Sequence, residues 1–136
     1  MAHLDRIKIL IIGPTASGKS TIANFLAGRK NVISENYRPT VGCRIMEFER
    51  DAPKSNRQVG DSKITIELWD VSGDQKFSRC WPAIRNGANG IIFAFNAENP
   101  KHPNQMANWI ESFAKKERVP ASLCVSFAHH PSGVIR

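Results

Sequence analysis

The chain has 136 residues, 41% of them hydrophobic, which suits one domain with a single core. Nineteen Lys and Arg against 12 Asp and Glu give a formal charge of +7, but the basic residues are dispersed. They lack the aromatic interleaving of an RNA-binding sheet, so the charge reads as a surface biased toward anionic ligands, with no nucleic-acid partner expected.

No apolar run approaches bilayer length, and neither a signal peptide nor a prenylatable C-terminal cysteine is evident, so no transmembrane segment or lipid anchor is expected. Cys43, Cys80 and Cys124 are odd in number and show no CxxC spacing, which reads as reduced thiols in the cytosol.

In chain order, Arg6 to Ile12 is a short β-branched run ending at Gly13, as a buried strand entering a loop should. Lys19 to Ala27 predicts a helix, with Ile22, Phe25 and Leu26 at i, i+3 and i+4 and Gly28 as C-terminal cap. Val41, Cys43, Ile45 and Phe48 give a second strand, and Ile64, Ile66 and Leu68 alternate with polar residues in a third. The polar connection between them suits a long hairpin loop. Gly90 to Phe95 is apolar on both faces, like a central parallel strand, and Met106, Trp109, Ile110 and Phe113 form a helical stripe. Ser122 to Phe127 supplies a last strand. The pattern β-α-β-β-α-β-α-β fits one α/β domain with a mostly parallel sheet and one antiparallel hairpin.

The strongest chemical signal is GPTASGKS, residues 13 to 20, which fills the phosphate-loop template GxxxxGK[ST] between a predicted strand and a predicted helix. Backbone N–H groups from Gly13 through Ala16, Ser17 and Gly18, and on into Lys19, Ser20 and Thr21 at the helix start, would face a phosphate chain. Lys19 would meet the β and γ phosphates, and the Ser20 hydroxyl would ligate Mg²⁺. In WDVSGDQKF, residues 69 to 77, Asp70 closes a strand where such a protein holds Mg²⁺ through water, and the Gly73 N–H can reach a γ-phosphate.

With Tyr37-Arg-Pro-Thr40 added, these motifs resemble the Ras and Rab-like small GTPases. ANFL, RPTVGCRIMEFE, ELWDVSGDQKF, CWPAI, IIFAFNAENP and AHHPSG narrow the resemblance, over nearly the whole chain, to the Rab-like branch that serves intraflagellar transport. It implies a P-loop NTPase three-layer sandwich that uses GTP/GDP and Mg²⁺, with Thr40 as a first-switch ligand to Mg²⁺ and the γ-phosphate. It also implies a subunit of the IFT-B particle of cilia and flagella, docked on that particle's coiled-coil subunits, resident in cytoplasm and cilium. Whether Phe77 and Trp81 contact a partner or pack internally stays open.

Three departures from that family carry weight. Asp74 stands where the family places a water-orienting glutamine, with Gln75 one residue late; it is a weak catalytic candidate, and slow GTP hydrolysis is expected. His129, His130, Pro131 and Ser132 stand where the family has Asn-Lys-x-Asp. A serine cannot accept two hydrogen bonds from guanine as a carboxylate does, so guanine preference should weaken unless His129 or His130 engages the base. The chain also stops after the fifth strand, so a single domain lacking the family's last strand and helix is expected, with an apolar sheet face exposed. A tRNA-directed P-loop transferase and a scaffold that works without nucleotide are the alternatives to a GTP-dependent switch or adaptor.

Overall fold

The computed structural model describes residues 6–28, 42–52 and 63–132. The chain runs as β1 (Arg6–Ile12), α1 (Lys19–Leu26), β2 (Cys43–Asp51), β3 (Lys63–Val71), a 3₁₀ helix (Gln75–Cys80), α2 (Trp81–Arg85), β4 (Gly90–Asn96), α3 (His102–Ile110) and β5 (Cys124–His129). A π-helical turn, Glu111–Lys115, prolongs α3, and a 3₁₀ turn, Ala121–Leu123, precedes β5.

The sheet order is β2-β3-β1-β4-β5; β1 is parallel to both neighbours, β4 is parallel to β5, and β2 is antiparallel to β3. This is the expected mixed sheet, with β1 between the two strands that follow it in opposite directions across the sheet. The loop after β1 therefore opens at the topological switch point, where α/β sheets place ligands.

Strand parity divides the core. On one face Leu10 and Ile12 of β1 and Ile91 and Phe93 of β4 meet Trp81, Ile84, Trp109 and Phe113. The rings of Trp81, Trp109 and Phe113 pack with centroids 5.1 to 6.1 Å apart. On the other face Ile11, Met46, Leu68 and Ala94 pack against Ala23 of α1. Trp81 and Phe113 are thus core residues, while Phe77 is half-buried with the Lys76 ammonium 5.1 Å from its ring centre.

Two sequence expectations shift. The α1 stripe is Ile22, Ala23, Leu26 and Ala27, and Phe25 is 81% exposed, because the short helix turns Ala23 squarely onto the sheet and carries Phe25 off that face. The last strand starts at Cys124, two residues later than expected, since Leu123 N–H closes a turn onto the Pro120 carbonyl at 2.9 Å. On β2 the side chains facing α1 are Met46 and Phe48, with Ile45 half exposed; Val41 lies outside the described residues. Gly28 caps α1 as expected, with φ +73° and its N–H on the Phe25 carbonyl. Among the described residues no helix is long and apolar enough to cross a membrane.

Candidate functional site

The loop between β1 and α1 wraps back over the strand ends. Gly13 is pressed so close to β4 that an added Cβ would stand 2.0 Å from the Ala94 carbonyl oxygen. Ala16 sits at φ +61° and Gly18 at φ +88°, left-handed conformations of the kind from which anion-binding nests of backbone N–H groups are built. Holding an alanine there costs about 1–2 kcal/mol, strain of the kind stored at functional loops. Ser17 is fully buried and Thr21 is exposed.

Lys19 opens α1 and is buried. Its Nζ donates to the Pro14 carbonyl at 2.6 Å and to Ser17 Oγ at 3.2 Å, so the ammonium lies inside the loop. Burial pushes its pKa down to about 8, against the pull of the Asp70 charge. Beside it the Ser20 hydroxyl donates to Asp70 Oδ2 at 2.6 Å. The P-loop hydroxyl and the β3 carboxylate, 50 residues apart, thus meet as a pair of hard oxygen donors, the set that Mg²⁺ favours. Asp70 is wholly buried.

Sequence reasoning missed what compensates it. Arg44 of β2, in register with Asp70, places Nη2 at 3.3 Å from Oδ2 and at 2.9 Å from Asn24 Oδ1. Antiparallel pairing of β2 with β3 was the available signal, but its register was not legible. The adjacent Cys43 thiol is pushed up to about 12, by burial first and by the Asp70 charge second.

Gly73 touches the P-loop so closely that a Cβ would lie 2.3 Å from the Thr15 nitrogen and 2.6 Å from the Gly13 oxygen. Asp74 does something else: it caps the 3₁₀ helix, its Oδ1 accepting the Lys76 N–H at 3.0 Å, with Lys76 Nζ 3.7 Å from Oδ2. Aspartate is a good cap and glutamine is not, which gives Asp74 a local structural job at that position.

The end of β5 closes the site's other side. His129 packs against Gly18, whose added Cβ would fall 2.6 Å from the imidazole ring. His130 is half-buried next to it. Ser132 is engaged by Glu98, from the turn after β4: the carboxylate accepts the Ser132 N–H at 3.2 Å and its hydroxyl. Glu98 lies within IIFAFNAENP, but the sequence assigns it no role at the site. Among the described residues no group of three or more His, Cys, Asp or Glu ligands comes together. Thr40, with Tyr37, lies outside the described residues.

The family model of the Roc ("Ras of Complex") domain of DAPkinase matches residues 8–129. The intraflagellar transport protein 22 homolog of Xenopus tropicalis is 39% identical over 128 residues, covering 94% of this chain and 67% of the relative. Intraflagellar transport protein 22 of Trypanosoma brucei is 38% identical, covering 94% of this chain and 65% of that protein. A crystal structure of T. brucei IFT22/74/81, GTP-bound, superposes with a TM-score of 0.74 at 34% identity, over 96% of this chain and 70% of that one. T. brucei IFT22 bound to GDP gives 0.66 at 31% identity, over 96% and 68%. With the phosphate loop, the Ser20–Asp70 pair and the five-stranded sheet in place, the chain belongs to the intraflagellar transport protein 22 family of Ras-like small GTPases.

Proposed function

We propose that this chain is a Mg²⁺-dependent, GTP- and GDP-binding switch or adaptor subunit of the intraflagellar transport B particle, with slow GTP hydrolysis, working in cytoplasm and cilium or flagellum. The convergence of Lys19, Ser20 and Asp70 inside a loop with left-handed turns carries this reading. The loop N–H groups from Gly13 to Thr21 cradle the phosphates, and Lys19 neutralises β and γ oxygens. Ser20, Asp70 through water, and Thr40 would hold Mg²⁺, which neutralises charge on the β and γ oxygens when bound. The Gly73 N–H meets the γ-phosphate, so loss of that phosphate releases residues 70–77. His129 and His130 flank the base.

Slow hydrolysis follows from the Asp74 cap. Its Oδ1 is held by the Lys76 N–H, and it offers no amide to orient an attacking water. Asp74→Gln should raise single-turnover GTP hydrolysis on the order of tenfold, equivalent to about 1.4 kcal/mol of barrier. An unchanged rate would place the limitation elsewhere.

The partner reading draws on the T. brucei relative, whose structure includes IFT74 and IFT81. We place this chain on equivalent coiled-coil subunits of the particle. The decisive experiment is Mg²⁺-dependent GTP binding with Lys19→Ala as control, followed by capture of those subunits in each nucleotide state. Equal capture by wild type and Lys19→Ala, with no GTP bound by either, would support a nucleotide-independent scaffold instead.

A further inference from the structure

The position where a base-reading aspartate is expected holds Ser132, yet a carboxylate stands there nonetheless. Asn96 of β4 and His129 of β5 are in register, and the Ala97 N–H donates to the His129 carbonyl at 2.8 Å. The turns leaving the two parallel strands therefore run side by side. Asn96 shapes the first: its Oδ1 accepts the Glu98 N–H at 2.8 Å, and its carbonyl accepts the Asn99 N–H at 3.0 Å. That geometry sends Glu98 across to Ser132, whose N–H and hydroxyl both donate to the carboxylate.

We infer that Glu98 is the base-specificity residue of this chain, supplying from the β4 turn the carboxylate that Ser132 lacks. This rests on the nucleotide-binding reading above. Guanine presents two donors on one edge, the N1–H and the 2-amino group, which an anionic carboxylate accepts. Adenine presents a bare N1 lone pair there, which the same carboxylate repels. A carboxylate has about four lone-pair sites, and Glu98 is exposed, so a base edge can reach it alongside Ser132. They also orient it, as a preorganised site requires. Its turn leaves β4 beside the end of β5, whose His129 ring rests on Gly18 of the phosphate loop, so base and phosphate contacts are carried by adjoining backbone. Ser132 then becomes a positioning residue, and the weakened guanine preference expected from it is reversed.

The test is competition against a fluorescent guanosine triphosphate by GTP, ITP, XTP and ATP, on the full chain with Mg²⁺. Xanthine replaces the 2-amino donor of guanine with a carbonyl acceptor, so it should favour an amide over a carboxylate. Wild type should prefer GTP, and Glu98→Gln should lower the GTP-to-XTP affinity ratio by roughly tenfold to a hundredfold, the worth of one charge-assisted hydrogen bond. Adding Ser132→Asp to Glu98→Gln should restore that ratio, because a carboxylate returns to the same place. Circular dichroism melts verify that each variant folds. If GTP binds but Glu98→Gln leaves the ratio unchanged, the inference falls and the nucleotide reading survives. If wild type binds none of the four, both fall together.

Discussion

The two faces of the sheet are built from the same strands but do opposite work. The face under α2 and α3 is closed by Trp81, Trp109 and Phe113, three large rings in mutual contact. The face under α1 has a thinner apolar layer, Ile11, Ala23, Met46, Leu68 and Ala94, and carries the buried Lys19, Asn24 and Asp70. It also leaves Val125 and Phe127 of β5 at 53% and 40% exposed. Strand alternation separates the tasks: one parity supplies hydrophobic stability, and the other holds charges whose burial costs stability and equips the phosphate loop.

The largest effect that can test this division is truncation on the aromatic face. Phe113→Ala, at a wholly buried ring, should destabilise by about 3–5 kcal/mol, read from urea denaturation. A loss below 1 kcal/mol would mean that the aromatic cluster is not the stabilising layer. Next comes Gly73→Ala, at the seam between β3 and the phosphate loop. The new methyl collides with Thr15 and Gly13 backbone, which cannot step aside as a side-chain tip could. About 1–3 kcal/mol of stability should go, and the ratio of GTP to GDP affinity should fall in binding assays. A variant that keeps both would detach Gly73 from γ-phosphate sensing.

The charged face should also respond to pH. Lys19 is held at about 8 in the folded chain, below the ordinary lysine value, because burial disfavours its ammonium. A triphosphate favours that ammonium, so above pH 8 binding must take up a proton, and affinity falls as pH rises. The slope should approach about tenfold per unit well above pH 8. Calorimetry in buffers of different ionisation heat measures the uptake directly; a flat affinity from roughly pH 7 to 9.5 would refute a lysine-centred phosphate site.

Much of this was legible in the sequence. The glycines and Lys19 of GPTASGKS, the strand ending at Asp70 and the apolar run of β4 are local signals whose spacing carries their meaning. What stayed hidden depends on register and on packing between distant elements. Arg44 reaches Asp70 only through the antiparallel pairing of β2 with β3, and Glu98 reaches Ser132 only because β4 and β5 end level. Phe25 misled because a helix of eight residues has too few turns for periodicity to fix its buried face. Membership of the family also removes the tRNA-transferase alternative, which shared only the phosphate loop.

The smallest effect is expected at β5, and it sharpens the contrast most. Val125 and Phe127 share a face with Ile92 and Ala94, the strand partners with which they are in register. Being half exposed, they have already forfeited much of the transfer free energy that full burial gives a large apolar side chain, about 1.5–3 kcal/mol. Val125→Thr keeps β-branching, so strand propensity survives the loss of a methyl group. It should shift stability by no more than about 0.5 kcal/mol, the range for surface changes, in the same denaturation that registers Phe113→Ala severely. The substitution should also raise solubility at high concentration, because an exposed apolar edge strand promotes association. A Val125→Thr cost comparable to that of Phe113→Ala would show that this side of the sheet is covered in solution, and the asymmetry between the faces would vanish.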